Sequence, residues 1–277
     1  MSRLSGIISI HERPCRTALG RTGIPGGDYC LNPYLGCSHG CRYCYAAFMA
    51  GYFGIQEPWG SFVAVKVNLP EVLEREVRRK KPGRVLVGTV CDPYQPLERT
   101  CRLTRRALEI LGRARFRATI MTKSILVLDD LDFLKGCRSF DVEMTVTTLD
   151  ERAREFFEPG APASTDRLEA VRLLRAAGVE VTIFLGPLLP HFSDTPIELD
   201  RLVAAAKDAG ASRVLIDKLN YLGAKFPHIR TGLKEHWPEA LRAFELALQD
   251  PDGYDARLRA VARDMLKRHS VPGEVLF

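Results

Sequence analysis

From residue 62 onward, the chain alternates short, largely apolar segments with longer segments in which apolar residues recur at helical spacing. Continuous apolar segments are typical of strands that are buried on both faces of a parallel sheet. The alternation itself is the pattern of repeated βα units, so it predicts an α/β fold. The six predicted strands cover residues 62–67, 84–90, 116–122, 140–146, 180–185 and 213–218.

Polar residues, prolines and glycines mark the predicted helix ends. Asn68 and Glu71 have the spacing of a capping box, and Thr195 precedes a proline at the first position of another helix. Gly178 and Gly210 are expected to end helices and to lead into the next strands. These signals agree with the strand count.

The chain divides into three segments within what we expect to be one structural domain. Residues 1–61, where Gly, Pro, Tyr and Cys dominate, are predicted to be an N-terminal extension and a long functional loop. Residues 62–220 form the βα core. Residues 221–277 are predicted to be a helical cap, with helices over 238–249 and 254–269.

Composition and charge exclude several protein classes. The 277 residues are 46% hydrophobic, and 40 Lys and Arg against 34 Asp and Glu give a net charge of +6, which is ordinary for a globular chain. No apolar segment approaches the ~20 residues that span a bilayer, and the start of the chain lacks a signal-peptide core. We therefore expect a cytoplasmic protein without a membrane partner.

Three of the eight cysteines lie close together in the N-terminal segment, as Cys37, Cys41 and Cys44. Thiolates at this CxxxCxxC spacing can hold three corners of a [4Fe–4S] cluster and leave one iron open to an exogenous group. Gly36 and Gly40 allow the backbone to bend around such a cluster. The spacing therefore predicts a reactive metal centre.

A structural zinc site is the alternative for the same cysteines. Zinc needs four protein ligands, and Cys30 or His39 would supply the fourth. The function that follows is a zinc-stabilised nucleic-acid-binding module without catalysis. Cys15, Cys30, Cys101 and Cys137 show no paired spacing, so no second cluster is predicted.

The cysteine triplet, with Tyr43 before its last member, resembles the radical S-adenosylmethionine (SAM) superfamily. Four segments between about residues 32 and 194 resemble the branch related to spore photoproduct lyase, often labelled DNA repair photolyase. The segments are LNPYLGCSHGCRYCYA, VGTVCDPYQPLERTCRLTR, IMTKS and EPGAPASTDRLEAVRLLRAAGV. The resemblance implies a partial (β/α)6 TIM-like barrel with an N-terminal cluster-binding loop and C-terminal helices.

The resemblance also implies an activity and its cofactors. Cys37, Cys41 and Cys44 would ligate a [4Fe–4S] cluster, SAM would chelate the open iron, and its reductive cleavage would yield a 5′-deoxyadenosyl radical that abstracts hydrogen from a substrate. A reduced flavodoxin or ferredoxin would supply the electron. By analogy with the lyase the substrate would be a nucleic acid, and a peptide or small metabolite is the alternative.

Further residues acquire roles through the resemblance. Tyr43 would pack near the adenine of SAM. The family usually has a Gly-Gly-Glu-like turn for the SAM amino group, and this chain departs from it by offering Thr89 and Asp92. Lys123 would pair with the SAM carboxylate. Thr147 would contact the ribose or methionine, and Pro187 ends a strand that passes close to the adenine.

One more cysteine stands at a predicted strand end. By the same resemblance, Cys91 would return a hydrogen atom to a product radical, whereas a small buried core residue is the alternative. The polar residues that follow it, Tyr94, Gln95 and Glu98, are expected to line the substrate cavity with Asp92.

Overall fold

The computed structural model describes residues 8–277, and residues 1–7 of the predicted N-terminal segment lie outside the described residues. The six predicted strands are all present, with ends that differ by at most a few residues. The strands are β1 (Ser9–Arg13), β2 (Gly20–Arg21), β3 (Tyr29–Leu31), β4 (Tyr34–Leu35), β5 (Phe62–Lys66), β6 (Arg84–Val87), β7 (Arg117–Thr122), β8 (Phe140–Thr145), β9 (Glu180–Leu188), β10 (Arg213–Lys218) and β11 (Gly273–Val275).

Helices occupy most of the chain between the strands. The 3-10 helices are Tyr45–Phe48 and Ile125–Asp130. The α-helices are α1 (Met49–Tyr52), α2 (Leu69–Val77), α3 (Glu98–Cys101), α4 (Leu103–Arg113), α5 (Leu131–Leu134), α6 (Glu151–Phe157), α7 (Ser164–Ala176), α8 (Pro196–Asp208), α9 (Leu222–His236), α10 (Pro238–Gln249) and α11 (Pro251–Arg268).

The chain folds into two compact units. Of the described residues, the first unit contains 8–40 together with Ala46–Glu143 and Ala176–Glu180, and the second contains Cys41–Tyr45, Met144–Arg175 and Val181–Phe277. Strand β8 begins in the first unit and ends in the second. The sequence-based segments 1–61, 62–220 and 221–277 stay a prediction.

The first unit contains two sheets. In the larger sheet the strand order is β8-β7-β6-β3-β2, with β3, β6 and β7 parallel and β2 antiparallel. Val87 of β6 lies opposite both Leu31 and Ile120, so three strands end at one edge. The smaller sheet has the order β1-β5-β4. Parallel strands place the residues that follow them at a common edge, which is where the site residues of this unit lie.

In the second unit the order is β11-β10-β9-β8, and β9, β10 and β11 are parallel. The Val146 N–H donates to the carbonyl oxygen of Phe184 at 2.9 Å. An apolar cluster that includes Phe157, Phe192 and Phe244 fills the core of this unit. Among the described residues, β2 and β11 are edge strands and no closed barrel forms, as expected of a partial barrel.

The N-terminal segment differs from its prediction as a long loop. Strand β1 pairs with β5, and the three residues of β3 pair with β6. These strands are short and their partners lie more than fifty residues away in the sequence, so no local alternation marks them. The sequence pattern also did not predict strand β11 or helix α9.

The helix-end signals were correct in part. Thr195 accepts the N–H of Glu198 at 3.2 Å, and Gly178 and Gly210 have positive φ angles of +83° and +80°. Asn68 does not cap α2 with its side chain. Its amide instead bonds to the backbone of Cys15, which satisfies both amide groups and removes the capping interaction.

Residues 8–277 include no helix that has both the length and the apolar character needed to cross a bilayer.

Candidate functional site

The three motif cysteines lie in one loop, residues 32–45, which we call the cluster loop. The chain passes from the first unit to the second within it, at Cys41. Gly36 and Gly40 have φ angles of +83° and +59°. A Cβ at Gly36 would lie 2.6 Å from Phe62, so both the backbone angle and the close approach require glycine there.

In the first unit, Cys37 is buried and its sulfur receives a backbone donor. The Asp92 N–H points to the Cys37 Sγ at 3.5 Å. Beside it, the fully buried Gln95 accepts the Ser38 N–H at 2.9 Å and donates to the Gly36 carbonyl oxygen at 3.4 Å. An N–H directed at sulfur stabilises a thiolate, because hydrogen bonding to the charged form favours that form. This part of the loop is therefore suited to a metal-bound sulfur.

In the second unit, Cys41 packs into the apolar core and the next residue ties the loop to the end of α6. The Arg42 N–H donates to the Phe157 carbonyl oxygen, and the Arg42 Nε–H donates to that of Phe156, both at 2.8 Å. The guanidinium also lies 4.4 Å from the centroid of the Phe156 ring. A backbone hydrogen bond, a side-chain hydrogen bond and a cation–π contact thus all hold Arg42 in place.

Tyr43 takes part in a buried polar network of the second unit. Its hydroxyl donates to the Glu158 carboxylate and lies 3.2 Å from the Thr147 Oγ1. Arg167 pairs with the other carboxylate oxygen at 2.5 Å, and both partners are fully buried. Burial and the neighbouring Glu158 carboxylate hold the pKa of Tyr43 well above its usual value, so the phenol remains a hydrogen-bond donor.

Asp92 joins the ends of β6 and β7. Its carboxylate accepts the Tyr94 N–H at 2.9 Å, the Thr122 hydroxyl at 2.7 Å and the Lys123 N–H at 2.7 Å. The buried His39 places its Nδ1 3.4 Å from the same carboxylate. The backbone of Lys123 is thereby tied to the turn that also donates to Cys37.

Asn32 organises the residues before Asp92. Its amide donates to the Thr89 hydroxyl and accepts the Val90 N–H, both at 2.9 Å, and the Cys91 Sγ lies 3.8 Å from its oxygen. Cys91 is buried, and this burial raises the pKa of its thiol to about 12. Cys91 is therefore a protonated thiol at neutral pH.

The predicted contacts at the ends of β8 and β9 lie in the second unit. The Thr147 Oγ1 lies 3.2 Å from the Gly186 carbonyl oxygen, and the following Gly186–Pro187 bond is cis. The Thr148 hydroxyl donates to the carbonyl oxygen of Phe192 at 3.3 Å. The structure thus brings Tyr43, Thr147 and the backbone before Pro187 together in one unit.

The residues expected to line a substrate cavity have other partners. Glu98 is buried and accepts the N–H groups of Leu103 and Thr104 at 3.1 and 2.9 Å, so it caps the start of α4. The Tyr34 hydroxyl donates to the same carboxylate. The Tyr94 hydroxyl donates to Asp130 at 2.8 Å. The sequence spacing of these residues did not predict that Glu98 contacts the start of α4 or that Tyr94 contacts Asp130.

Glu158 and Arg167 were not singled out by sequence reasoning. Both lie in EPGAPASTDRLEA, a segment that contributed only to the resemblance. A signal was present, because a glutamate and an arginine nine residues apart flank a helix start in a segment with two prolines and a glycine. Without the partner Tyr43, that signal is indistinguishable from a surface ion pair.

None of the eight cysteines, all of which lie within residues 8–277, is in a disulfide. In the same range, no group of three or more His, Cys, Asp or Glu side chains is arranged around a position for a single metal ion. A cuboidal cluster differs from a single ion because each cysteine binds its own iron.

Comparisons with known proteins show where the chain belongs. The family model described as the radical SAM superfamily matches residues 31–216. An uncharacterized protein of Methanocaldococcus jannaschii is 33% identical over 187 residues, which are 68% of this chain and 70% of that protein. An uncharacterized protein of Mycobacterium tuberculosis is 29% identical over 283 residues, which are 96% of this chain and 83% of that protein.

The fold has relatives among solved structures. Spore photoproduct lyase complexed with dinucleoside spore photoproduct superposes with a TM-score of 0.70 at 16% identity, over 97% of this chain and 82% of the lyase. The family match excludes the alternative of a zinc-stabilised module without catalysis. This chain belongs to the radical SAM superfamily, whose enzymes use a [4Fe–4S] cluster and S-adenosylmethionine.

Proposed function

We propose that Cys37, Cys41 and Cys44 hold the [4Fe–4S] cluster of this enzyme. The observation that carries the proposal is the CxxxCxxC triplet within the residues matched by the family, with the Asp92 N–H directed at the Cys37 sulfur. The donor set fits the group, because three thiolates leave one iron for SAM. A cluster held there would supply the electron for the reductive cleavage of SAM, and with it the 5′-deoxyadenosyl radical chemistry of the family.

The residues proposed to receive SAM have distinct tasks. Thr89 offers a hydroxyl to the amino group, and Lys123 offers its ammonium to the carboxylate. The Asp92 carboxylate already accepts three protein hydrogen bonds, so it contributes by holding the backbone of Lys123 in place. Thr147 contacts the ribose or methionine, and the backbone at Pro187 covers the adenine.

Cys91 is proposed as the hydrogen donor to the product radical. In that step the S–H bond breaks homolytically and a C–H bond forms on the product. The remaining thiyl radical returns to the thiol by taking one electron from the reduced flavodoxin or ferredoxin and one proton from water. The raised pKa supports this role, because only the protonated thiol carries the hydrogen atom. Burial of the thiol protects the radical from solvent.

The substrate proposed is a nucleic acid. Its support is the likeness in fold to spore photoproduct lyase and the net charge of +6, which favours an anionic partner. A reduced flavodoxin or ferredoxin is the proposed electron source, and the cytoplasm, where such donors are available, is the proposed location.

The assignment is tested with anaerobically reconstituted protein. We expect about four irons per chain, and formation of 5′-deoxyadenosine after addition of SAM and dithionite. Cys41→Ala is expected to lose both. Cys137→Ala, outside the motif, is the matched control and should retain both. Retention of the cluster and of SAM cleavage by Cys41→Ala would refute the ligand assignment.

Deuterated substrates test both the proposed substrate class and the proposed role of Cys91 as hydrogen donor. Transfer of deuterium from a DNA oligonucleotide to 5′-deoxyadenosine is expected, and transfer only from peptides or small metabolites would overturn the nucleic-acid proposal. With the true substrate, Cys91→Ala should still cleave SAM but give a different product distribution. An unchanged distribution would leave Cys91 a structural residue.

A further inference from the structure

Two consecutive residues between the second and third motif cysteines bond to three consecutive residues of the second unit. Arg42 donates to the carbonyl oxygens of Phe156 and Phe157. Tyr43 donates to the carboxylate of the next residue, Glu158. This arrangement determines both where the backbone of the loop lies and how the Tyr43 ring is oriented.

The acceptor for Tyr43 is held rigidly. Arg167 pairs with Glu158 at 2.5 Å and also donates to the carbonyl oxygens of Pro162 at 2.8 Å and Thr145 at 3.2 Å. Glu158 and Arg167 are both fully buried. A buried charge has no alternative partner in solvent, so the carboxylate has little freedom to leave this position.

The same carboxylate oxygen receives a second hydroxyl. Thr147 donates to the Glu158 Oε1 at 2.7 Å, and this is the atom that also accepts from Tyr43. Thr147 follows β8 and lies within 3.2 Å of the Gly186 carbonyl oxygen. One oxygen atom therefore sets the relative position of a residue between two cluster cysteines and a residue at the ends of the strands.

We propose that Glu158, held by Arg167, is a positioning residue that aligns Tyr43 with Thr147 so that the Cys41–Cys44 part of the cluster loop can receive SAM. This inference rests on the proposed function, which it deepens. A merely structural ion pair would affect folding alone. A positioning carboxylate also changes SAM affinity in protein that remains folded and fully loaded with iron.

The test uses the reconstituted holoenzyme and the variants Tyr43→Phe and Glu158→Asp. Tyr43→Phe removes one hydroxyl and keeps the ring, and Glu158→Asp keeps the charge opposite Arg167 but withdraws the acceptor. Iron per chain should stay unchanged. The SAM concentration that gives a half-maximal change in the electron paramagnetic resonance spectrum of the reduced cluster should rise about tenfold, as expected for a hydrogen bond to a charged group.

The double variant separates a shared interaction from two independent ones. If both residues act through one hydrogen bond, Tyr43→Phe combined with Glu158→Asp should bind SAM no more weakly than the weaker single variant. If the fold-changes in SAM affinity of the two single variants multiply in the double variant, the proposal is overturned. Because Tyr43→Phe leaves the ion pair with Arg167 intact, its SAM affinity decides the question even where Glu158→Asp does not fold.

Tyr254→Phe is the matched control, since the Tyr254 hydroxyl donates to Asp194 at 2.9 Å in the same unit. It should bind SAM as the wild-type protein does. Wild-type SAM affinity in both Tyr43→Phe and Glu158→Asp would overturn this inference alone. Failure of the wild-type protein to load a cluster or to bind SAM would instead overturn the proposed function, so the two failures are distinguishable.

Discussion

The two ends of the cluster loop are held by different chemistry. In the first unit, Gly36, Cys37 and Ser38 have hydrogen bonds with uncharged groups, the Gln95 side-chain amide and the backbone N–H of Asp92, and the adjacent His39 lies 3.4 Å from the Asp92 carboxylate. Around Tyr43, in the second unit, the partner is a buried carboxylate neutralised by the buried guanidinium of Arg167. Both arrangements satisfy buried polar groups, but they differ in what happens when one partner is removed.

Removal of the Gln95 amide leaves its neutral hydrogen-bond partners unsatisfied. Removal of either partner of the Glu158–Arg167 ion pair leaves an uncompensated charge in the protein interior. The second cost is larger, because a buried charge loses its hydration without compensation. The second unit should therefore be the more sensitive to single substitutions near the loop. A comparable substitution in the first unit should lower the free energy of unfolding by less.

The largest expected effect is that of Arg167→Met. The substitution leaves Glu158 buried without its cation, so we expect the free energy of unfolding to fall by about 3–5 kcal/mol. Urea unfolding followed by circular dichroism measures it. The matched control is Arg172→Met, which removes an exposed pair with Glu169 and should cost below about 1 kcal/mol. Equal losses of unfolding free energy in the two variants would show that the buried ion pair stabilises the protein no more than the exposed one.

A smaller effect is expected for Gln95→Ala. It removes two hydrogen bonds and leaves the Ser38 N–H and the Gly36 carbonyl oxygen without that partner, so the loss should be about 2 kcal/mol. The same urea titration applies, with the exposed Gln249→Ala as control. A loss as large as that of Arg167→Met would contradict the comparison between neutral and ionic partners.

The smallest expected effect concerns Cys91 and alkaline pH. The folded-state pKa of about 12 lies above the ordinary value of 9.0, so the unfolded chain loses this proton first. Stability from this group is therefore complete below about pH 9 and is lost as the pH rises toward 12. Between pH 8 and pH 10, the loss should be about 1 kcal/mol.

Urea unfolding of the wild-type protein and Cys91→Ala at both pH values isolates this contribution, because every other titrating group is common to the two proteins. The difference in stability between them should shrink by that amount at pH 10. A constant difference would show that Cys91 ionises alike in the folded and unfolded chains. Slow alkylation of Cys91 by iodoacetamide at pH 8 is the accompanying observation.

Local patterns of sequence were sufficient for the strands of the βα series and for the cysteine triplet. Strand β10, for example, has the predicted limits, because a buried parallel strand needs a continuous apolar segment that is visible in the sequence. The spacing of Cys37, Cys41 and Cys44 is likewise a local property. The family match agreed with the superfamily indicated by these residues.

Other features depended on the tertiary structure. The short strand β3 is defined by pairing with β6, and Glu158 is connected to Tyr43 across 115 positions of the chain. The contact between Glu98 and the start of α4 was likewise not predicted from the sequence. Periodicity and spacing report which residues share a face or a turn. Which buried donor meets which acceptor is decided only when remote segments pack together, because the cost of leaving either unpaired arises from burial.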